Sequence, residues 1–534
     1  MRFNHFVIAV ALASARCVQG RPSSPSDSVL QILYSIPQGN NTELKGLVQE
    51  ARPIIDSIGS QKPPNDQAQR NENACTILKT VLRGHYTDST NQVSYDTLLQ
   101  KNYASQCHLP PACFITPNSN AAVAITLKII DLTQAKFSVR SGGHNVNPGW
   151  AGVSHGVIID TQELNTIQLR PDRSSVRVGT GNRFGTVQEY LDPYNVSVVS
   201  GHTVQPGVGG VLLGGGLPLV STYTGMGADN IKSAEVITSD SRVVIASATE
   251  NPDLFRALKG GVNNFGIVTH FELYTSKVHD IWFRALVYSS LDPLPVFDAL
   301  QKTQVAMESD DKAGLVFTIL PFGGFMVDFF YVEPTYQPEV FAAFDALTPV
   351  SAIHDAVNGT VYSIMQNLTN HLPPANRYST SCTIRVDTDL YTSVYNRYHE
   401  MTQKYSTNTT AFQMVMHPYG SATTRISKER GGNVMGDING AQTILTYGAQ
   451  WTDDRDNEKI YDIVDEITQA TIDEAEQRGL DEKFIFANGG SFTQNVLASY
   501  GEENLKHIRA ASKKFDRKQM FQSLQNGGFL VSRA

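Results

Sequence analysis

The chain has 534 residues, 41% of them hydrophobic and 18% charged, and a formal net charge of −8. That composition is ordinary for a globular protein and the length is ample for a large core, with roughly two to four domains. The acidic balance excludes an extended nucleic-acid surface. The one basic cluster, His507 to Lys518, is interleaved with apolar residues and reads as the solvated face of a helix.

At the N-terminus, Arg2 and His5 precede an apolar run from Phe6 to Ala15 that leaves through Ala13-Ser14-Ala15. This is the pattern of a secretory signal peptide, taken here as residues 1–20, with cleavage after Ala15 or Gly20. No other apolar run is long enough to span a bilayer. The expectation is a secreted or lumenal protein, free of the membrane once the signal is removed. Sequons at Asn40, Asn195, Asn358, Asn367 and Asn408 are candidate glycan sites. If Cys17 leaves with the signal, Cys75, Cys107, Cys113 and Cys382 remain, an even number that permits disulfides. Cys75 with Cys107 is the preferred pair, with Cys113 and Cys382 read as buried thiols. The spacing matches no zinc motif, and no metal is expected.

Residues 21–107 read as a polar, extended lead-in followed by a helical segment. Between 108 and 278 short strands, turns and helices alternate. A helix is expected from Ser119, a plausible N-cap, to Asp131, and strands at 156–160, 166–169, 175–178 and 231–238. A helix over Pro252–Lys259 has Asn251 as its expected N-cap and Gly260 as its stop. From 279 to 480 the pattern becomes β-rich: 281–288, a hairpin of 313–320 and 325–332, then 382–386, 412–417 and 443–451. Ile460, Ile463, Val464, Ile467 and Thr471 fall on one helical face ended by Gly479. This predicts a separate antiparallel sheet with helices on one side. The tail, 481–534, carries a helix at Glu502–Phe515.

Three motifs carry the chemistry. Arg140-Ser141-Gly142-Gly143-His144 follows a strand-like run, 135–139, and precedes a turn-rich loop, 145–149. Glycines there let backbone N–H groups approach an anion closely, and the histidine adds a nucleophilic nitrogen. The pairing points to a phosphate-bearing cofactor held covalently. The second motif is Pro206-Gly207-Val208-Gly209-Gly210 with Gly214-Gly215-Gly216, which implies backbone packed on backbone or on a planar ligand. The third, Lys259 to Thr269, runs from a Gly-Gly loop into a strand. The dinucleotide fingerprint is absent, since Gly179-Thr180-Gly181 lacks the third glycine, and a Rossmann fold is disfavoured. Serine-hydrolase, metalloprotease and P-loop motifs are also missing.

In this order, the three motifs resemble the vanillyl-alcohol-oxidase (PCMH-type FAD-binding) superfamily, and more closely the fungal FAD-linked oxidoreductases of its berberine-bridge-enzyme-like branch. Asn251 to Gly261, Asn264 to Thr269 and the tail elements Ser499 to Asn504, Lys513 to Asp516 and Phe521 share that resemblance, which covers about 70–530. The resemblance implies an α+β fold: a two-part FAD-binding domain, 108–278 with the tail 481–534 returning to it, and an antiparallel-sheet substrate domain, 279–480. It implies FAD pyrophosphate on the backbone of Arg140, Ser141, Gly142, Gly143 and His144, and the flavin 8α carbon on His144. Gly207, Val208, Gly209, Gly210, Gly266, Ile267, Val268 and Asn488 are the remaining implied cofactor contacts.

Two departures from the family pattern matter. Many members make a second flavin bond through a cysteine at the position of Thr203, so a single covalent link is expected here. The family's Tyr-x-Asn-Tyr element appears as Phe486-Ala487-Asn488-Gly489, without either tyrosine. The catalytic base is therefore unassigned among His202, Tyr223, His354, His417 and Tyr419. The expected activity is an FAD-dependent oxidase moving hydride from a small organic substrate, a specialised-metabolite precursor in preference to a carbohydrate or alcohol, with molecular oxygen as acceptor. The alternative is a flavin-retaining non-redox cyclase or ligand-binding protein. Oligomeric state is not read from the sequence.

Overall fold

The computed structural model describes residues 24–36, 41–321, 323–369 and 372–534. The signal-peptide segment and the Asn40 sequon lie outside the described residues. Among them the chain forms three sheets in a mixed α+β arrangement.

The first sheet has four strands in the order Tyr86–Thr87, Cys113–Ile115, Val157–Asp160, Phe137–Arg140. The last three run parallel, and the helix Asn120–Thr133 makes the crossover that parallel pairing requires. Ser119 caps that helix by accepting from the Ala122 N–H at 3.3 Å. The second sheet is antiparallel, Ile167–Leu169, Ser175–Gly179, Ile267–Ser276, Ile231–Ile237, Val243–Ser247, with Ser197–Val198 paired to the far end of Ile267–Ser276. Phe137–Arg140, the strand that delivers the Gly-Gly-His loop, is buried at three of its four positions.

The third sheet has eight antiparallel strands in the order Ser351–Thr360, Asp280–Tyr288, Phe325–Tyr331, Ala313–Ile319, Thr410–Tyr419, Gln442–Trp451, Asn376–Arg385, Asp481–Glu482. Alternate residues pack on its two faces. Phe317, Phe325, Phe329, Tyr378, Met416 and Tyr447 share one core with the helices Leu294–Met307, Thr388–Gln403 and Asn457–Arg478. Phe283, Val316, Phe330, Tyr419 and Ile444 share the other core with the second sheet and its flanking helices. The helices thus lie on one face, as expected, and the opposite face lies over the glycine motifs.

Four details differ from the sequence expectations. The polar lead-in is helical: Pro25–Ser35, Thr42–Glu50 and Arg52–Gly59 bury Val29, Leu33, Val48 and Ile55 against Gln67–Val81 and Asn120–Thr133. Its apolar residues recur at helical spacing beneath polar outer faces. Asn251 does not cap Pro252–Leu258; its φ is +48° and its amide donates to the Ile245 carbonyl at 2.7 Å. The edge strand Ser351–Thr360 was not anticipated. Finally, the disulfide joins Cys75 to Cys113, not to Cys107. The helix Gln67–Val81 lies across the first sheet and sets those two Cα atoms 6.0 Å apart. Cys107, in the turn Ser105–Cys107, is a buried thiol facing the Asn145 carbonyl. Among the described residues Cys107 and Cys382 are the free thiols, and burial pushes both up to about 12.

Candidate active site

The two glycine motifs meet backbone to backbone. A Cβ on Gly142 would stand 2.3 Å from Gly207 N, and one on Gly207 would stand 2.2 Å from Gly142 N. No side chain fits at either position. Ser141 ties the contact, donating to the Thr180 carbonyl at 2.6 Å and accepting from the Gly209 N–H at 3.3 Å. Beside it, Gly210 has no atom within 4 Å of where a Cβ would stand. Asn488 bridges the cluster, donating to Gly210 O and accepting from Gly216 N–H, each at 2.9 Å. Arg140 is turned away: 1% exposed, it donates from Nε and Nη2 to Asp160 Oδ2 at 3.0 and 2.7 Å. That ion pair holds the loop's base to the neighbouring strand.

Gly266, Ile267 and Val268 sit behind this cradle. A Cβ on Gly266 would stand 2.6 Å from Ile237 O, and Ile267 and Val268 are core residues. Their link forward is Thr180, whose hydroxyl donates to Val268 O at 3.0 Å and whose carbonyl receives Ser141. Asn264 anchors the tail, donating to Phe529 O and accepting from the Val531 N–H.

At the loop's end, His144 lies parallel to Tyr103, ring centroids 4.1 Å apart. Its Nε2 is buried with no hydrogen-bond partner among the described residues, while Gln205 hydrogen-bonds the ring. Burial first, then the charges of Arg183 and Arg377, push the imidazole down to about 4. It is therefore neutral near pH 7, with a lone pair available. A cradle closed to side chains, beside a neutral and incompletely partnered imidazole, fits a pyrophosphate-bearing flavin that can take a histidyl link.

The sheet face above carries a second histidine cluster. His417, on Thr410–Tyr419, stacks on His202 of the 201–210 loop, with centroids 5.1 Å apart and planes 6° apart. His202 Nε2 donates to the Pro218 carbonyl at 3.2 Å. His417 Nδ1 is buried with no partner among the described residues. Burial holds His202 at about 4 and His417 well below its usual value, and His202 pushes His417 the same way. The other candidates stand elsewhere. Tyr223 is 41% exposed on the short helix Ser221–Thr224, and His354 lies against Phe283 on the edge strand. Tyr419 stacks on Phe484, and burial raises its hydroxyl far above the usual value, which opposes a role as base. The Phe486–Gly490 segment passes beneath the sheet, where a Cβ on Gly489 would meet Thr446 Oγ1 at 3.1 Å. Thr203, at the position of the second tether, carries no thiol. Tyr103 and Arg377, which lie in no sequence motif, also stand at this site.

This arrangement is that of a flavin-binding oxidoreductase with a sheet roof over the cofactor cradle. The family model for the FAD binding domain matches residues 111–247. FAD-dependent monooxygenase yanF of Aspergillus niger is 30% identical over 464 residues, covering 85% of this chain and 78% of the relative. Bifunctional solanapyrone synthase of Alternaria solani is 30% identical over 469 residues, covering 85% and 88%. Among solved structures, Physcomitrella patens BBE-like 1 superposes with a TM-score of 0.71 at 18% identity, covering 83% of this chain and 96% of that one. Glucooligosaccharide oxidase from Acremonium strictum, described as carrying a 6-S-cysteinyl, 8α-N1-histidyl FAD, gives 0.70 at 18% identity, covering 84% and 97%. The chain belongs to the family of fungal FAD-dependent oxidoreductases that includes these relatives, it shares its fold with the berberine-bridge-enzyme-like oxidases, and FAD is its cofactor.

Proposed function

We propose that this protein is an oxidase that holds FAD through one covalent link, at His144, and oxidises a small organic molecule at a C–H bond beside oxygen or nitrogen. The observation that carries the reading is the neutral, incompletely partnered His144 ring at the edge of a cradle closed to side chains. FAD bound there supplies a two-electron acceptor that dioxygen can reoxidise. The chain supplies the rest. Ser141, Gly142, Gly207 and Gly209 set the backbone cradle, and Asn488 fixes the glycine cluster. His417 Nδ1, buried without a partner among the described residues and with its ring seated on His202, is the nitrogen we assign to accept the proton that the substrate hydroxyl or amine releases. Burial keeps both rings neutral before the transfer and makes His417 a weak base, so the proton it takes must be passed on.

The substrate class is a specialised-metabolite precursor, a reading supported by the fungal relatives and by the absence of both tyrosines around Asn488. The site of action is the secretory lumen or the exterior. That reading draws support from the signal-like N-terminus, the Cys75–Cys113 disulfide and the exposed sequon asparagines Asn195, Asn358, Asn367 and Asn408.

The test has two steps. Acid-precipitated protein is expected to retain its yellow colour, and His144→Ala to release it. A screen of hydroxylated and aminated fungal metabolites is then expected to give one peroxide per substrate consumed. Incorporation of ¹⁸O from dioxygen into the product would make the enzyme a monooxygenase like its named relatives. An isomeric product formed without oxygen uptake would replace the oxidase reading with the non-redox one.

A further inference from the structure

Beyond the glycine cradle, the His144 ring is held by Tyr103, which a residue of the substrate sheet backs in turn. The Tyr103 N–H donates to Gly143 O at 2.8 Å, and the Tyr103 ring lies 11° from the plane of His144. The guanidinium carbon of Arg377 stands 4.0 Å from the centroid of the same tyrosine ring. An imidazole and a guanidinium, both this near one centroid, must take opposite faces. Tyr103 is therefore sandwiched between them, with a cation on the electron-rich face of its ring.

Arg377 is the second residue of Asn376–Arg385, in the substrate sheet, and is 6% exposed. Its Nη1 donates to Tyr103 O at 2.6 Å and to Ala375 O at 3.2 Å, and its Nη2 to Pro373 O at 2.7 Å. Gln106 fixes its backbone, accepting from the Arg377 N–H at 3.1 Å and donating to its carbonyl. Among the described residues no carboxylate pairs with Arg377, and its Nε is buried without a partner. A buried arginine neutralised by no carboxylate is costly to fold and calls for a reason.

Resting on the reading of His144 as the attachment residue, we infer that Arg377, acting through Tyr103, positions His144 for the attachment of FAD. The stack fixes the plane of the ring. The uncompensated cation behind it also disfavours imidazolium, and an imidazolium has no lone pair to attack with. In the attachment, the imidazole N–H and one C–H of the flavin 8-methyl group break and the N–C8α bond forms. The two electrons and two protons released pass through the flavin to dioxygen, which leaves as hydrogen peroxide. No other oxidant is needed. Because the histidine comes from the FAD-binding region and the cation from the substrate sheet, attachment follows docking of the two.

The experiment uses full-length protein carrying Arg377→Gln, Tyr103→Leu or Tyr103→Phe. Total FAD is read from native absorbance, and covalent FAD from flavin fluorescence in a denaturing gel. Arg377→Gln and Tyr103→Leu are expected to bind FAD while the covalent fraction falls by about tenfold or more, because misorientation alone has an effect of that size. Tyr103→Phe keeps the ring face and is expected to retain attachment. Should Arg377→Gln not fold, Tyr103→Leu against Tyr103→Phe decides. A wild-type covalent fraction in Arg377→Gln or Tyr103→Leu would overturn the inference, as would equal loss in Tyr103→Phe and Tyr103→Leu. Release of flavin from wild type itself would instead remove the covalent reading on which the inference rests.

Discussion

His202 and His417 are each commonplace in sequence, and their value lies in the pairing. One comes from the glycine loop and the other from the substrate sheet, and their rings meet at 5.1 Å. The Pro218 carbonyl takes the Nε2 proton of His202, and nothing among the described residues takes His417 Nδ1. Charging either ring would bury an ion, so both stay neutral well below the usual histidine range. The base form is then the one present above the depressed value. With the substrate found in the peroxide screen, the acid limb of kcat/KM is expected well below the usual histidine value of 6.5. His417→Gln removes the acceptor while leaving His144 and its cradle in place. It is expected to slow anaerobic bleaching of the flavin by substrate by about 10²- to 10⁴-fold, with the covalent flavin content unchanged. Bleaching at the wild-type rate would dismiss His417 as the base.

On the substrate sheet, a row of residues on the FAD-facing side crosses neighbouring strands: His354, Ala285, Asp328, Val316. Asp328 is 5% exposed, its side chain makes no hydrogen bond or ion pair among the described residues, and burial raises its carboxyl to about 7. In the unfolded chain the same group titrates near 3.9. Below that value both states hold the proton and folding bears no penalty. Between about pH 4 and 7 the unfolded state loses its proton first, and stability falls as pH rises. Above about 7 the loss levels off at roughly 4 kcal/mol as an upper bound. Asp328→Asn is thus expected to be more stable than wild type at pH 8, with the gain shrinking towards zero near pH 4 in denaturant melts. A gain that does not vary with pH would rule out this titration as its source. The central strands of this sheet were legible in the sequence, because alternation and the Pro321-to-Gly324 turn are local signals. The edge strand Ser351–Thr360 was not: it is mostly exposed on both faces, so it carries no alternation to read. Nor was the Cys75–Cys113 pairing, which depends on a helix lying across a sheet rather than on spacing.

Across the whole molecule, what could be read in advance was what one short segment encodes. The Gly-Gly-His loop and the glycine cluster announced a cofactor cradle because close backbone approach demands glycine at those positions. The contact of Arg377 with Tyr103 joins residues 274 positions apart, and neither lies in a motif, so only the docked halves reveal it. The same bipartite construction sets how FAD bears on stability. The cradle and His144 belong to one half while Arg377 and His417 belong to the other, so a cofactor bound between them favours the docked, folded state. With the tether proposed at His144, that contribution in wild type is independent of free FAD. His144→Ala makes the cofactor exchangeable, and its stabilisation then follows mass action, about 2.7 kcal/mol when free FAD is about 100 times Kd. The melting temperature of His144→Ala is accordingly expected to climb with added FAD, while that of wild type stays fixed. A wild-type melting temperature that also climbs would mean exchangeable flavin and no tether. A His144→Ala protein indifferent to FAD would mean that the cofactor does not bridge the two halves.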